Sequence, residues 1–161
     1  MFNPDQCQQV NLIRFTTAKE VIDNYNFFES GMVALNDPKG AKSNYTSESF
    51  FLMLMRVINA GDLGLVLLLT SKRNKPLGFG VAMASSDVEG VKCLYILEFF
   101  SNGKFKDTRQ VLLQAAEQHA RSLGLNKLRA STRRINGCGF RLFEGVWGFK
   151  REFVTFTRDV I

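Results

Sequence analysis

A single histidine, three cysteines, three prolines and one tryptophan are spread over 161 residues, and each shortage removes a class of chemistry. With His119 alone, a multi-histidine metal centre is excluded and a histidine-based nucleophilic triad would rest on one position. Cys7, Cys93 and Cys138 form an odd set without a C-x-x-C pair, which argues against a disulfide framework or a four-cysteine zinc site and for a reducing compartment. We therefore expect no metal. The longest apolar run, residues 63–69, falls far short of the roughly 18 residues that a membrane span needs. The opening MFNPDQCQQ carries neither a basic run nor an apolar leader segment. These absences lead us to expect a soluble cytoplasmic chain with no membrane partner. Repeats and Pro/Gly/Ser-rich linkers are missing too, so the expectation is one domain over 1–161.

What is present is a globular composition, 45% hydrophobic and 22% charged, enough for a sizeable core. Fifteen phenylalanines supply that core or line an interface. The net charge of +6 is uneven: residues 1–100 hold 9 basic and 10 acidic side chains, residues 101–161 hold 12 and 5. A basic second half suits a polyanionic partner, either nucleic acid or a phosphate-bearing cofactor, and equally a solvated basic surface.

Periodicity orders the elements as β-α-α-β-β-β-α-β-α-β. VNLIRF over 10–15 reads as a strand, and Thr17 with Glu20 is a capping-box signature opening one helix with Val21, Ile22, Tyr25 and Phe28 on its inner face. Residues 36–40, NDPKG, break that pattern, and a second helix is expected over 47–59. Strands over 65–70, 77–85 and 92–100 follow, separated by short polar turns that imply antiparallel hairpins. From 108 to 123 the period changes to about 3.6, with Val111, Leu112, Ala115, Ala116 and His119 as the apolar stripe and Gly124 as the C-cap. A strand over 127–132, a short helix over 140–146 and a last strand over 152–160 complete the pattern. The fold class is mixed α/β (α+β). Its sheet is mostly antiparallel with one parallel β-α-β crossover, and helices cover both faces. Ligands in such sheets sit where strand ends part near a helix N-terminus, here the junction 100–109.

With this order in place the chain resembles the GNAT superfamily, the acetyl-coenzyme A dependent N-acetyltransferases. The likeness covers nearly the whole chain and is densest in LYILEFFSNGKFKDTRQVLLQAAEQHARSLGLNKLRAST and in NGCGFRLFEGVWGF. Leu112, Leu113, Glu117, Ala120, Arg121 and Gly124 match the family helix L-L-x-x-x-E-x-x-A-R-x-x-G. Asn136, Leu142, Glu144, Gly148 and Phe149 match its tail, with one residue inserted near Val146.

The resemblance implies acetyl-CoA as acyl donor, an amine of a small molecule or protein as acceptor, and direct attack of that amine on the thioester. It makes Glu98, the only acidic residue between Val91 and Asp107, the catalytic base. Main-chain groups of Phe99 and Phe100 would pair with the pantetheine arm in the manner of an added strand. The pyrophosphate loop aligns with Lys104, Phe105, Lys106, Asp107, Thr108 and Arg109. Both family glycines are replaced there, so a side-chain clamp of Lys104, Lys106 and Arg109 with Thr108 and Asn136 would stand in for a main-chain nest. Asp107 opposes an anion by charge and bulk, or serves simply as an N-terminal helix residue. The family's tyrosine acid aligns with Phe143, which has no proton to give, or with Glu144 if the insertion is placed elsewhere.

Two other readings stay open. A GNAT scaffold that has lost its loop glycines and tyrosine acid suits a binding or structural protein, as in the acetyltransferase-like proteins of tailed bacteriophages, located in host cytoplasm or virion. An open sheet edge would then serve a partner or a second copy. Nucleic-acid binding is the other, prompted by the basic half and by LGFGV over 77–81, a poor match to an RNA-recognition strand.

Overall fold

Thr17 stops the first strand, β1 (Val10–Phe15), and opens the first helix, α1 (Ala18–Asp23), in a computed structural model that describes residues 10–37, 43–86, 89–101, 108–131 and 141–150. The Thr17 hydroxyl accepts from the Glu20 N–H, while Glu20 Oε2 accepts from the N–H groups of Thr16 and Thr17 at 2.8 and 2.9 Å. This is the reciprocal box that the sequence implies. Those bonds, the Thr16 N–H first, hold the Glu20 carboxyl below its ordinary 4.5.

The expected single helix is in fact two. Asn24, at φ −113° and ψ 11°, interrupts it, and its Nδ2 donates to the Glu20 carbonyl at 2.8 Å. A side-chain donor that takes a carbonyl of the preceding turn competes with helix propagation, and α2 (Tyr25–Asn36) starts afresh. Ile22, expected on the inner face, is 54% exposed, whereas Val21 and Phe28 are fully buried. Next comes α3 (Ser47–Asn59), capped by Thr46 and Ser49, with Phe50, Leu54 and Val57 inward at helical spacing.

Strands β2 (Gly64–Ser71), β3 (Pro76–Ser86) and β4 (Lys92–Ser101) form the expected antiparallel hairpins, and β1 pairs antiparallel with β2. After β4 the chain crosses through α4 (Thr108–Ser122) to β5 (Leu128–Ala130), which pairs parallel with β4. Among the described residues the sheet is thus five-stranded and mixed, in the order β1-β2-β3-β4-β5. Gly124, at φ +70°, ends α4, with the Leu125 N–H donating to the Ala120 carbonyl at 2.8 Å.

Helices cover both faces. On one, α1, α2 and α3 bury Val21, Phe28, Phe50 and Leu54 against Val66, Leu68, Phe79 and Val81. On the other, Leu112, Ala116 and Ala120 of α4 pack on Leu65, Leu67, Leu69 and Leu94. Cys93 is buried on β4. No helix among the described residues is long and apolar enough to cross a membrane.

Chain packing separates Met1–Ser131 from a second unit, Thr132–Ile161. Within the second, Arg141–Val146 is wound as a π-helix rather than an ordinary helical turn. Phe143, Trp147 and Phe149 cluster there with ring centroids 5.2 to 6.4 Å apart, and the Phe149 N–H donates to the Phe143 carbonyl at 2.8 Å. The expected strand over 152–160 lies outside the described residues.

Candidate active site

The register of β3 against β4 slips by one residue in the middle of the pair. Val81 faces Glu98 and Ala82 faces Ile96, so Leu97 is an extra residue, a β-bulge. An inserted residue resets the alternation of side chains. Leu97 and Phe100 accordingly pack on the α2–α3 side, and Glu98 reaches a side chain from that side. Phe99 packs on the α4 side.

The bulge also marks where β4 and β5 part. Leu94, Tyr95 and Ile96 pair with Leu128, Arg129 and Ala130, and among the described residues β5 supplies no partner beyond Ile96. Among the described residues β4 from 97 to 101 pairs with β3 alone. At the far end of that stretch Arg109 Nε donates to Ser101 Oγ at 2.9 Å. The first turn of α4 thus stands beside the end of β4.

Glu98 is half-buried, and its Oε1 accepts a hydrogen bond of 2.7 Å from the Tyr45 hydroxyl, with Met53 Sδ 3.6 Å from the same hydroxyl. A donor on the ionised carboxyl favours that form. The arrangement suits a base that must stand ionised before it takes a proton. Sequence reasoning missed Tyr45 entirely, since its partner lies 53 positions away and only the sheet register brings them together.

Of the other expected site residues, Phe99 and Phe100 lie on β4 with their rings in opposite cores, Phe100 against Phe79 at 5.5 Å. Thr108 is buried at the start of α4, and Arg109 is exposed and engaged with Ser101. Lys104, Lys106, Asp107 and Asn136 lie outside the described residues. Glu144 is exposed, and the Phe143 ring is taken up by Trp147 and Phe149. The LGFGV stretch is interior: Leu77, Phe79 and Val81 are at most 5% exposed, which leaves no ring for a base to stack on. Its glycines permit close approach, since a Cβ on Gly78 would meet the Phe100 carbonyl oxygen at 2.4 Å and one on Gly80 would meet Phe99 at 2.9 Å.

His119 is packed rather than poised. It is 6% exposed on the inner side of α4, and among the described residues neither ring nitrogen makes a well-formed hydrogen bond, the Asp62 backbone being only a weak partner. Burial first and the Arg14 charge second push its pKa below the ordinary 6.5, with Asp62 pulling the other way. The unfolded chain therefore binds this proton at a higher pH than the folded one, and stability falls as pH drops below about 6.5. Urea midpoints should decline more from pH 7.5 to 5.5 in the native protein than in a His119→Leu variant. Equal declines would show that another group carries the acid sensitivity.

No family model matches the chain, and no curated protein matches it in sequence. Solved structures do match in fold. An aminoglycoside N-acetyltransferase, AAC(6')-Iy in complex with CoA, superposes with a TM-score of 0.72 at 12% identity, over 93% of this chain and 94% of that one. A GNAT family acetyltransferase of Staphylococcus aureus gives 0.64 at 18% identity, over 94% and 99%. Glucosamine-6-phosphate N-acetyltransferase of Arabidopsis thaliana gives 0.62 at 12%, over 93% and 97%. The architecture of this chain, bulged strand and parting parallel pair included, is a GNAT fold.

Proposed function

We propose that the protein is an acyl-coenzyme A dependent N-acetyltransferase, taking acetyl-CoA as donor and an amine as acceptor. The observation that supports this reading is the β4 bulge, just past the last described β4–β5 pair, with Glu98 turned to the α2–α3 side and Tyr45 donating to its carboxylate. A solved structure of the same fold, the aminoglycoside N-acetyltransferase, is in complex with CoA. Main-chain groups of Phe99 and Phe100 would pair with the extended amide-bearing arm in the manner of an added strand, with the first turn of α4 near the diphosphate. Lys104, Lys106, Arg109 and Asn136 would add charge and hydrogen bonds at the diphosphate, against the opposing charge of Asp107.

In this reading Glu98 takes the proton that an amine sheds as its nitrogen bonds to the thioester carbonyl carbon. Main-chain N–H groups of β4 would stabilise the oxyanion; its collapse re-forms the carbonyl and breaks the C–S bond, and the departing thiolate takes a proton from solvent while Glu98 returns the amine's proton to solvent. No enzyme nucleophile is needed, in keeping with Cys93 being buried.

Acetyl-CoA should raise the melting temperature, by an amount equivalent to about 2.7 kcal/mol at a hundredfold excess over its dissociation constant. Thiol release with a panel of amines then tests turnover. No shift at millimolar donor eliminates the transferase reading. A second reading, a binding protein on the same scaffold, draws on the sequence, in which the family's tyrosine acid aligns with Phe143, a residue with no proton to give. Donor binding without thiol release for any amine would favour it.

A further inference from the structure

We propose that Tyr45 is a positioning residue for Glu98, a phenol held in place by Asn36 and Phe50 so that its hydroxyl holds the Glu98 carboxylate aimed for proton transfer. The inference rests on the transferase reading above and adds to it a residue outside the β4–α4 region. Tyr45 is constrained far more than a side chain leading into a helix needs. The Asn36 amide spans its main chain: Tyr45 N–H donates to Asn36 Oδ1 at 3.0 Å, and Asn36 Nδ2 donates to the Tyr45 carbonyl at 2.7 Å. Its ring stands edge-on to the fully buried Phe50, centroids 5.1 Å apart at 70°. Thr46, the next residue, is fixed as the cap of α3. Backbone, ring and following residue are thus each held by a different part of the α2–α3 layer, and the hydroxyl meets Oε1 of Glu98 at 2.7 Å.

The chemistry favours such a clamp. A glutamate has three side-chain torsions to fix, and a donor already in place fixes them at little entropic cost, because a tyrosine has only two. Oε1 accepts the phenol proton both as carboxylate and as the C=O of the acid. Glu98 therefore gains the amine's proton without its hydrogen bond being rebuilt, and Tyr45 keeps its own proton throughout. No group other than the amine and the carboxyl changes protonation in the step.

The test is a double-mutant cycle in the thiol-release assay with acetyl-CoA and whichever panel amine turns over. Tyr45→Phe keeps the ring on Phe50 and removes only the hydroxyl. It should lower kcat by about tenfold or more while the KM for acetyl-CoA stays within about twofold. In a Glu98→Gln background the same substitution should cost less than about twofold, because there is no proton transfer left to assist. Asn36→Ala, which frees the Tyr45 main chain, should lower kcat in the same Glu98-dependent way. Melting curves and the acetyl-CoA-induced thermal shift check that each variant is folded and binds donor. Equal costs in both backgrounds, or no cost in the native one, overturn the proposal and leave the transferase reading standing. A native protein that neither shifts with acetyl-CoA nor turns over any amine removes both together.

Discussion

Glu98→Gln should reduce thiol release by about 10²- to 10⁴-fold, the usual worth of a positioned general base, without weakening acetyl-CoA binding. The substitution is nearly isosteric, and its amide oxygen still accepts from Tyr45, so the α2–α3 layer keeps its contact with β4. What disappears is the capacity to take a proton. Saturation kinetics with each substrate varied check the outcome: kcat falls, and the KM for acetyl-CoA stays near its native value. A loss below about tenfold would mean that solvent or another residue accepts the proton, and Glu98 would revert to a structural hydrogen-bond acceptor on a bulged strand.

The largest effect on stability should come from Phe79→Ala, about 3–5 kcal/mol, as for other buried aromatics truncated in a close-packed core. Phe79 is 1% exposed and joins three rings, with centroids 5.4 Å from Phe28, 5.8 Å from Phe50 and 5.5 Å from Phe100. Gly31 of α2 closes on the same ring: a Cβ there would lie 2.2 Å from Phe79 Cε1, which shows how little space surrounds it. Removing the ring leaves a cavity between α2, α3 and the sheet that the backbone cannot close. At about 2–4 °C per kcal/mol for a chain of this size, the melting temperature should fall by roughly 10 °C. Because Phe79 packs on Phe50, whose ring in turn abuts Tyr45, transfer should weaken as well, even at temperatures where the variant is folded. A destabilisation under about 1 kcal/mol would mean that neighbouring rings move in to fill the space.

Much of the architecture was legible in the residues themselves. The Thr17 and Glu20 pair announced a helix start because both halves of the box lie within one turn, and the structure has those bonds. Gly124 marked the end of α4 because a left-handed residue is cheapest as glycine. The hairpins followed from short polar turns between apolar runs, and the parallel crossover from a four-turn helix between two strands. Glu98 is proposed from elimination along one strand together with a family resemblance. The site around it was not legible. Asn24 could be seen as a helix former or a cap with equal ease, and the choice went to its side chain reaching the Glu20 carbonyl. Leu97 looks like any other apolar strand residue, and its role as the bulge is settled by pairing with β3.

The division between the two levels follows the range of the forces. By itself the sequence determined the elements, their order and the faces they bury, since hydrophobic period, caps and turn chemistry act over a few residues. Tertiary structure alone decided where β4 leaves β5, that Glu98 faces the α2–α3 layer, and that Tyr45, clamped by Asn36, meets it. Those outcomes depend on register between strands and on packing across layers, which couple residues tens of positions apart and leave no periodic trace in the chain.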